Sequence, residues 1–468
     1  MPFPPSVLDR PRPASRSARV IRALRTQLPP LARLAGPVIL AEIGWMAMSI
    51  VDTVMVAPLG PAALGGVGVG GSLFFAFGIF GLGLLLGLDT VIAQAHGAGQ
   101  PVACREWAWQ GLWLALAAAV PIFLIVLLIQ ANVDLLGFHP DVRPVIEGYV
   151  AIVGWSIWPL LLYGVARRYL QALAHVRAVM LALITANVVN AVANWMLIHG
   201  RWGAPALGTD GAAWATLLSR IYMAAVLVVA AVWHDRRMPA PIWRVRKLPV
   251  AAKLKRLAGL GLPAAAQVTL EVGSFATTSA LAARLAPVSL AAHHVALTLA
   301  STTFMLPLGL SSAAAVRVGH AVGARSGREA SHAGWTALAS AVGLMLMSAC
   351  VFVGAPRWLL GLFTADQEVI AAGVWLLAVA AMFQIFDGLQ VTATGVLRGV
   401  GDTRTPLMWN LVGHWAIGLP VGSALCFAAG WDVIGLWVGL SIGLTIVGLM
   451  LVRAWARAER QVRSSLRE

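Results

Sequence analysis

The chain has 468 residues, 59% of them hydrophobic and only 11% charged, which is too apolar for a water-soluble fold. Its net charge of +15 would suit nucleic acid, but the bases gather in the tails and connections and not on one face, which argues against that partner. Cys104, Cys350 and Cys426 are scattered in or beside apolar runs, so neither a disulfide nor a metal framework is expected.

A membrane-crossing helix needs about 20 largely apolar residues. About twelve such runs follow one another, near 31–56, 63–94, 107–130, 145–166, 178–198 and 209–233, then 256–284, 288–318, 333–355, 368–392, 405–429 and 433–457. Barrel strands would alternate in polarity over about 10 residues, so a barrel is excluded. Backbone in lipid must satisfy its own hydrogen bonds, so these runs are helices and the fold class is all-α and polytopic.

The expected order is a basic tail over 1–30, a six-helix bundle over 31–233, a linker over 234–253 with a Met238-Pro-Ala-Pro241 surface stretch, a second six-helix bundle over 254–457 and a tail over 458–468. The first tail, rich in Pro and Arg, has no apolar run of its own and is not read as a cleavable signal. Bases crowd the first tail (Arg10 to Arg25), the linker (Arg236 to Arg256) and the last tail (Arg453 to Arg467). Short loops on that side add Arg105, Arg167, Arg168, Arg177, Arg325 and Arg328, while acids such as Asp134, Asp141, Asp366 and Glu368 mark the other. This bias places both termini in the cytoplasm of a bacterial inner membrane.

The two halves repeat with an offset near 225 residues. Leu31-Ala-Arg-Leu-Ala-Gly36 returns as Leu254-Lys-Arg-Leu-Ala-Gly259, and Gln94-Ala-His-Gly97 as His320-Ala-Val-Gly323. With six spans each, both copies share one orientation, and their axis should run along the membrane normal with a cavity between the bundles. The glycines of the second span, Gly65 to Gly87, read chiefly as close-packing positions.

Glu42, Asp52, Asp89, Glu271 and Asp387 lie inside apolar runs. Each costs about 2.5–3.5 kcal/mol at membrane depth, so each is a functional candidate. No Lys lies in a span, and Arg220 reads as the one intramembrane base. A carboxylate buried without a counter-charge takes a proton or holds a bare cation. The repeat does not copy the acids, which singles out Asp52, Glu271 and Asp387 for coupling; capping or packing suits Asp89 and Glu42 better than coupling does. Asn190 and Asn194 share one face of the fifth span, as interhelical glue or as a polar stripe facing Asp52. His293, His294 and His414 sit in or near spans, and Trp45, Trp155 and Trp415 lie deep enough to stack on a cationic ligand. No Gly-Lys-Ser/Thr phosphate loop, His-Glu-x-x-His or Gly-x-Ser-x-Gly motif is present, so neither an ATP motor nor an enzyme is expected.

Taken in order, several segments resemble the multidrug and toxic compound extrusion (MATE) family, in its NorM-like bacterial branch. They are Pro37 with Val51-Asp52-Thr-Val-Met55, Leu88-Asp-Thr-Val-Ile-Ala-Gln-Ala-His-Gly97, Asn190-Ala-Val-Ala-Asn194, Gly261-Leu-Pro263 with Glu271, Leu290-Ala-Ala-His-His-Val-Ala-Leu297, and Asp387-Gly-Leu-Gln390 with Leu397-Arg-Gly-Val-Gly-Asp-Thr403. The resemblance spans about 30–455. It implies an antiporter that exports amphipathic, often cationic compounds in exchange for H⁺ or Na⁺. No cofactor and no nucleic acid are expected, only organic substrates and membrane lipid, and the protein is expected to be monomeric. It implies that Glu271 and Asp387 hold the coupling ion, with Na⁺ as one ion they could bind, and that Asp52, Asn190 and Asn194 form a first-lobe polar cluster. Asp89 and His294 join the polar residues expected to line the cavity. His294 stands where relatives often carry Gln, and Phe383 where they can carry Tyr. A lipid-linked precursor flippase of related fold is the alternative.

Overall fold

The protein, seen in a computed structural model, is described over residues 16–237 and 245–465, with side chains from Thr26 to Ser464. The tail before Arg16, the Met238-Pro-Ala-Pro241 stretch, Arg244 and Arg467 lie outside the described residues. Those residues form helices and connections, with no strand among them.

In the first half α1 (Arg16–Val56) is followed by α2 (Pro61–Leu84) and α3 (Gly87–Gly97), which make one interrupted span. The interruption is local: Leu85 and Leu86 donate to Leu82 O and Gly83 O, a tightened turn in place of the next helical bonds. Then come α4 (Pro101–Ala131), α5 (Arg143–Gly154), α6 (Ile157–Ala172), α7 (Val176–His199) and α8 (Thr209–Arg237). The sequence reads one span near 145–166; the structure makes it two helices bent by 46°. Ser156, at the break, turns its hydroxyl back onto Val153 O at 2.5 Å.

In the second half α9 (Ala251–Ala282), α10 (Pro287–Gly323), α11 (Gly327–Gly354), the short α12 (Pro356–Gly361), α13 (Gln367–Val400), α14 (Arg404–Ala428) and α15 (Asp432–Ser465) follow. Among the described residues ten helices are long and apolar enough to cross a membrane, α2 with α3 counted as one, and the bent pair makes an eleventh. The twelfth crossing is α9, whose 32 residues reach about 48 Å at 1.5 Å per residue. Its buried row Gln267, Glu271, Ser274 and Thr278 lies inside the apolar run that the sequence marks at 256–284.

One core lies in each half, and a further one joins Leu31, Leu34 and Val38 of α1 to Leu310, Leu338 and Val396 of the second half. Phe74, Leu85, Leu88, Ile92 and Tyr163 fill the first, and Phe383, Leu376, Leu377 and Trp437 lie in the second. The turns Leu411–Gly418 and Ala424–Ala428 of α14 are wider than α-helical. There Gly413, Gly418 and Gly422 lie against Gly439 and Gly443 of α15, and a Cβ on either partner would strike opposing backbone. Small residues permit this approach of two helices in lipid.

The halves meet through α1 with α10, where Gly309 abuts Ile39, and through α2 with α9, where Gly83 abuts Ala265. Gln27 at the start of α1 accepts from Arg317 near the end of α10 at 2.5 Å, and Gly327 packs on Arg463. Both described chain ends therefore lie at the end of the molecule that holds the C-termini of α3 and α10.

The placement of bases differs from the sequence reading. Arg105, Arg167 and Arg168 belong to helices and not to short loops, because α4 and α6 continue past their apolar stretches. The helices thus carry further bases where they run past their apolar stretches, while Arg220 lies within the apolar part of α8. Arg105 pairs with Asp235 at 3.4 Å, and the buried Arg167 pairs with Glu42 and donates to Tyr163 at 3.3 Å. Glu42 thus has a resident counter-charge, which no proximity in sequence announces. Removing one partner of a buried pair leaves the other charge stranded, at about 3–5 kcal/mol. Arg167→Ala should lower the melting temperature in detergent sharply, and the double variant Glu42→Gln with Arg167→Met should recover most of it. Equal melting of the single variant and the parent protein would contradict the pairing.

Candidate functional site

Asp52 lies on α1 and faces two other helices. Asn194 of α7 donates to its Oδ1 at 2.6 Å and Thr216 of α8 to its Oδ2 at 3.5 Å. Asn194 also donates to Asn190 Oδ1 at 3.2 Å. Both amides are fully buried, and the spacing of four residues stacks them on one helix face. The structure therefore brings together the three first-half residues singled out in the sequence and adds Thr216. One turn beyond Thr216, Arg220 is close enough to act electrostatically on Asp52. Its guanidinium donates to Ser156 Oγ and lies 4.4 Å over the Phe74 ring. Asp52 is therefore not remote from a fixed cation, contrary to the sequence reading, since Arg220 is anchored at the α5–α6 break. Hydrophobic patterning could not place it there.

The second cluster has no such base. Glu271 Oε2 accepts from Gln267 at 2.6 Å, from Gln390 of α13 at 3.3 Å and from Asn410 of α14 at 3.3 Å. Asp387, one turn before Gln390, is 5% exposed. The two carboxylates share no hydrogen bond among those described, yet Glu271 acts electrostatically on Asp387. Asp387 Oδ1, Gln390 Oε1 and Asn410 Oδ1 are all buried without a hydrogen-bond partner. An orphaned acceptor in a dry interior costs about 1–3 kcal/mol, which sets these three oxygens apart from the bonded polar groups around them. Two carboxylates with amide oxygens form a hard donor set suited to a small cation or to protons. Among the described residues no group of three or more His, Cys, Asp or Glu side chains could hold a metal ion.

Gln267, Gln390 and Asn410 escaped the sequence reading as site residues. Gln267 precedes Glu271 by four residues, so its helix face was legible; Asn410 comes from a distant helix. His414 follows Asn410 by four residues, is fully buried, and has both ring nitrogens unpartnered. Trp415 donates to Leu270 O at 3.0 Å, beside Glu271.

Asp89 and His294 stand elsewhere. Asp89 is 1% exposed in the first turn of α3, with Arg168 at 3.2 Å and Arg398 at 3.4 Å, so it lines no open wall. Its helix start and two guanidiniums hold it at a seam between the halves. His294 is exposed, while its neighbour His293 is buried with Ser279 at 2.9 Å and Trp437 at 3.1 Å. His294, Thr298 and Thr302 succeed one another at helical spacing, and Thr302 reaches Met46 of α1 at 3.7 Å. That stripe faces the other bundle.

Two six-helix bundles, one holding Asp52 among amides and the other the buried pair Glu271 and Asp387, define a polytopic membrane protein of transporter architecture. The sequence matches the MatE family profile over residues 37–196 and 263–423, and the chain belongs to that family. It is 36% identical over 438 residues to a probable multidrug resistance protein NorM of Mesorhizobium japonicum, covering 91% of this chain and 93% of that one. It is also 36% identical over 433 residues to the multidrug resistance protein NorM of Burkholderia vietnamiensis, covering 91% and 92%. The fold matches the crystal structure of the eukaryotic MATE transporter AtDTX14 with a TM-score of 0.83 at 22% identity, over 95% of this chain and 100% of that one. An outward-facing MATE transporter of the MOP superfamily matches with a TM-score of 0.85 at 18% identity, over 97% and 100%.

Orphaned oxygens around Glu271 have a direct consequence. Gln390→Leu and Asn410→Leu should each weaken binding of the small cation by about 10–100-fold, the usual cost of disturbing the surroundings of such a site. Binding of ²²Na⁺ and proton uptake by unbuffered protein measure this. Unchanged values for both ions in both variants would contradict the site.

Proposed function

We propose that the protein is a multidrug efflux antiporter that exports amphipathic, often cationic compounds in exchange for inward H⁺ or Na⁺. The observation that carries this reading is the pair Glu271 and Asp387, buried at membrane depth with no basic side chain among their hydrogen-bond partners. Such a site must be charged and discharged by something that comes and goes. The names of the NorM relatives support multidrug export. The charge bias of tails and linker supports both termini facing the cytoplasm of a bacterial inner membrane.

A potential of 100 mV supplies about 2.3 kcal/mol for each charge moved inward, and a tenfold gradient adds about 1.4 kcal/mol. One or two ions therefore drive substantial export. In the first half Asp52 attracts an organic cation, Asn194 and Thr216 hold its carboxylate in place, and Asn190 accepts from Asn194. Ion entry at the second cluster must favour one arrangement of the bundles and drug the other, since only differential affinity lets one ligand move the other. The structure, closed at the chain-end side, corresponds in this reading to the state facing outward. A flippase for diphosphate-linked lipid would need several bases in its central path, and the two clusters here are acidic.

Asp387→Asn and Glu271→Gln should each abolish coupled efflux in cells while the protein still inserts in the membrane. Asp52→Asn should weaken binding of a cationic dye more than that of a neutral one. Efflux at the parental rate by both second-half variants, measured by dye accumulation, would overturn the assignment.

A further inference from the structure

The segment Gln94-Ala-His-Gly97 and its repeat His320-Ala-Val-Gly323 end α3 and α10, and the two helix ends cross. A Cβ on Gly97 would strike the backbone carbonyl of His320, and a Cβ on Gly323 would strike that of Gln94. The contact is therefore the same contact made twice about the axis of the repeat.

The side chains follow the same rule. Gln94 Nε2 donates to Gly399 O at 3.0 Å, and His320 Nε2 lies 2.7 Å from Ala172 O. Gly399 and Ala172 are matching positions at the ends of α13 and α6, in Leu397-Arg-Gly399 and Leu170-Gln-Ala172. The last carbonyls of a helix have no partner within it. At the end of α6, backbone N–H groups of Leu173, Ala174 and His175 reach Tyr169, Gln171 and Leu170, and Ala172 O is reached by His320. At the end of α13, Gly401 and Asp402 bond to Leu397 and Arg398, and Gly399 O is reached by Gln94. Each half thus caps a helix end of the other. The His320 bond requires its proton on Nε2, and the His96 ring packs on it at 4.7 Å.

One side carries extra ties that the repeat does not copy. Thr90 Oγ1 donates to Arg398 O at 2.5 Å, and Asp89 bridges Arg168 of its own half and Arg398 of the other. The position matching Asp89 is Ala315, which cannot do this.

The geometry points to Gln94 and His320 as gating residues of the transport cycle, a reciprocal pair of helix-end caps that must part before the space between the bundles opens toward the chain-end side. This rests on the alternating-access reading above. The caps suit a gate because each bond is made to a helix-end carbonyl that water can satisfy once the halves separate. The ion pairs at Asp89 add to closure and retain Arg168 on the same half when the Arg398 contact breaks.

The test uses the full-length protein with its three native cysteines replaced by Ala and nitroxide labels at Arg177→Cys and Arg328→Cys, both exposed positions, one in each half. Electron–electron distance measurements in nanodiscs, without drug, read the separation at this end. The parent should show one dominant short distance. The double variant Gln94→Leu with His320→Leu should raise the long-distance population roughly tenfold, the worth of two hydrogen bonds. His320→Gln, which makes the two caps alike, should keep the short distance. Gly323→Ala, which removes no polar group, should also raise the long-distance population and serves if the double variant does not fold. Short distances unchanged in both the double variant and Gly323→Ala would overturn the inference, as would His320→Gln opening the end as fully as the double variant. The distance readout needs neither substrate nor ion, so failure here is separate from failure of coupled export in Glu271→Gln.

Discussion

A carboxylate held inside an apolar bundle must be answered by a positive charge, by hydrogen-bond donors or by a proton, and this constraint sorts the acids of the protein. Glu42 is answered by Arg167 and Asp89 by Arg168 and Arg398, so both are tied to resident bases. Asp52 is answered by the donors Asn194 and Thr216, with Arg220 acting on it from nearby. Glu271 receives only neutral amides, and Asp387 Oδ1 receives nothing. The burial that makes a charge costly also makes its neutralisation by a passing ion worth most.

The same sorting gives the two bundles different work. The repeat supplies two similar scaffolds, while the charges differ between them. In the first bundle an acid and a base stand near each other, and Asn194 and Thr216 donate to the acid. In the second, two acids lie close enough to act on one another, Glu271 receives three amide N–H groups, and the acceptors Asp387 Oδ1, Gln390 Oε1 and Asn410 Oδ1 are left without partners. Movement between bundles then requires that their contact surface be separable. Glycines at the crossings of α3 with α10 and of α2 with α9 permit backbone approach without interlocking side chains.

Much of this was legible in the sequence because lipid imposes strict rules. Apolar runs of sufficient length marked the spans, and the repeated Gln94-Ala-His-Gly97 and His320-Ala-Val-Gly323 marked equivalent helix ends. Asp52, Asn190 and Asn194 were grouped from helical spacing and family resemblance, and the structure joins them by hydrogen bonds. What escaped depended on pairing between distant helices. Arg167 reads as a loop residue until α6 is seen to carry it toward Glu42, and Asn410 reads as an ordinary polar residue until α14 brings it to Glu271. The wide turns of α14 leave no periodic trace, because glycine packing against α15 produces them and helical propensity does not. The break between α5 and α6 was hidden in a single apolar run, and with it the seat of Arg220 on Ser156.

The central claim is that an ion entering the Glu271–Asp387 cluster drives export. Its most direct measurement is efflux of a cationic dye from proteoliposomes on which a pH gradient and a Na⁺ gradient are imposed separately, with the parent protein and Asp387→Asn compared side by side. At least one of the two gradients should drive dye movement against its own gradient in the parent, and neither should do so in Asp387→Asn. Dye movement that responds to neither gradient in the parent, or that persists at the parental rate in the variant, would contradict the account.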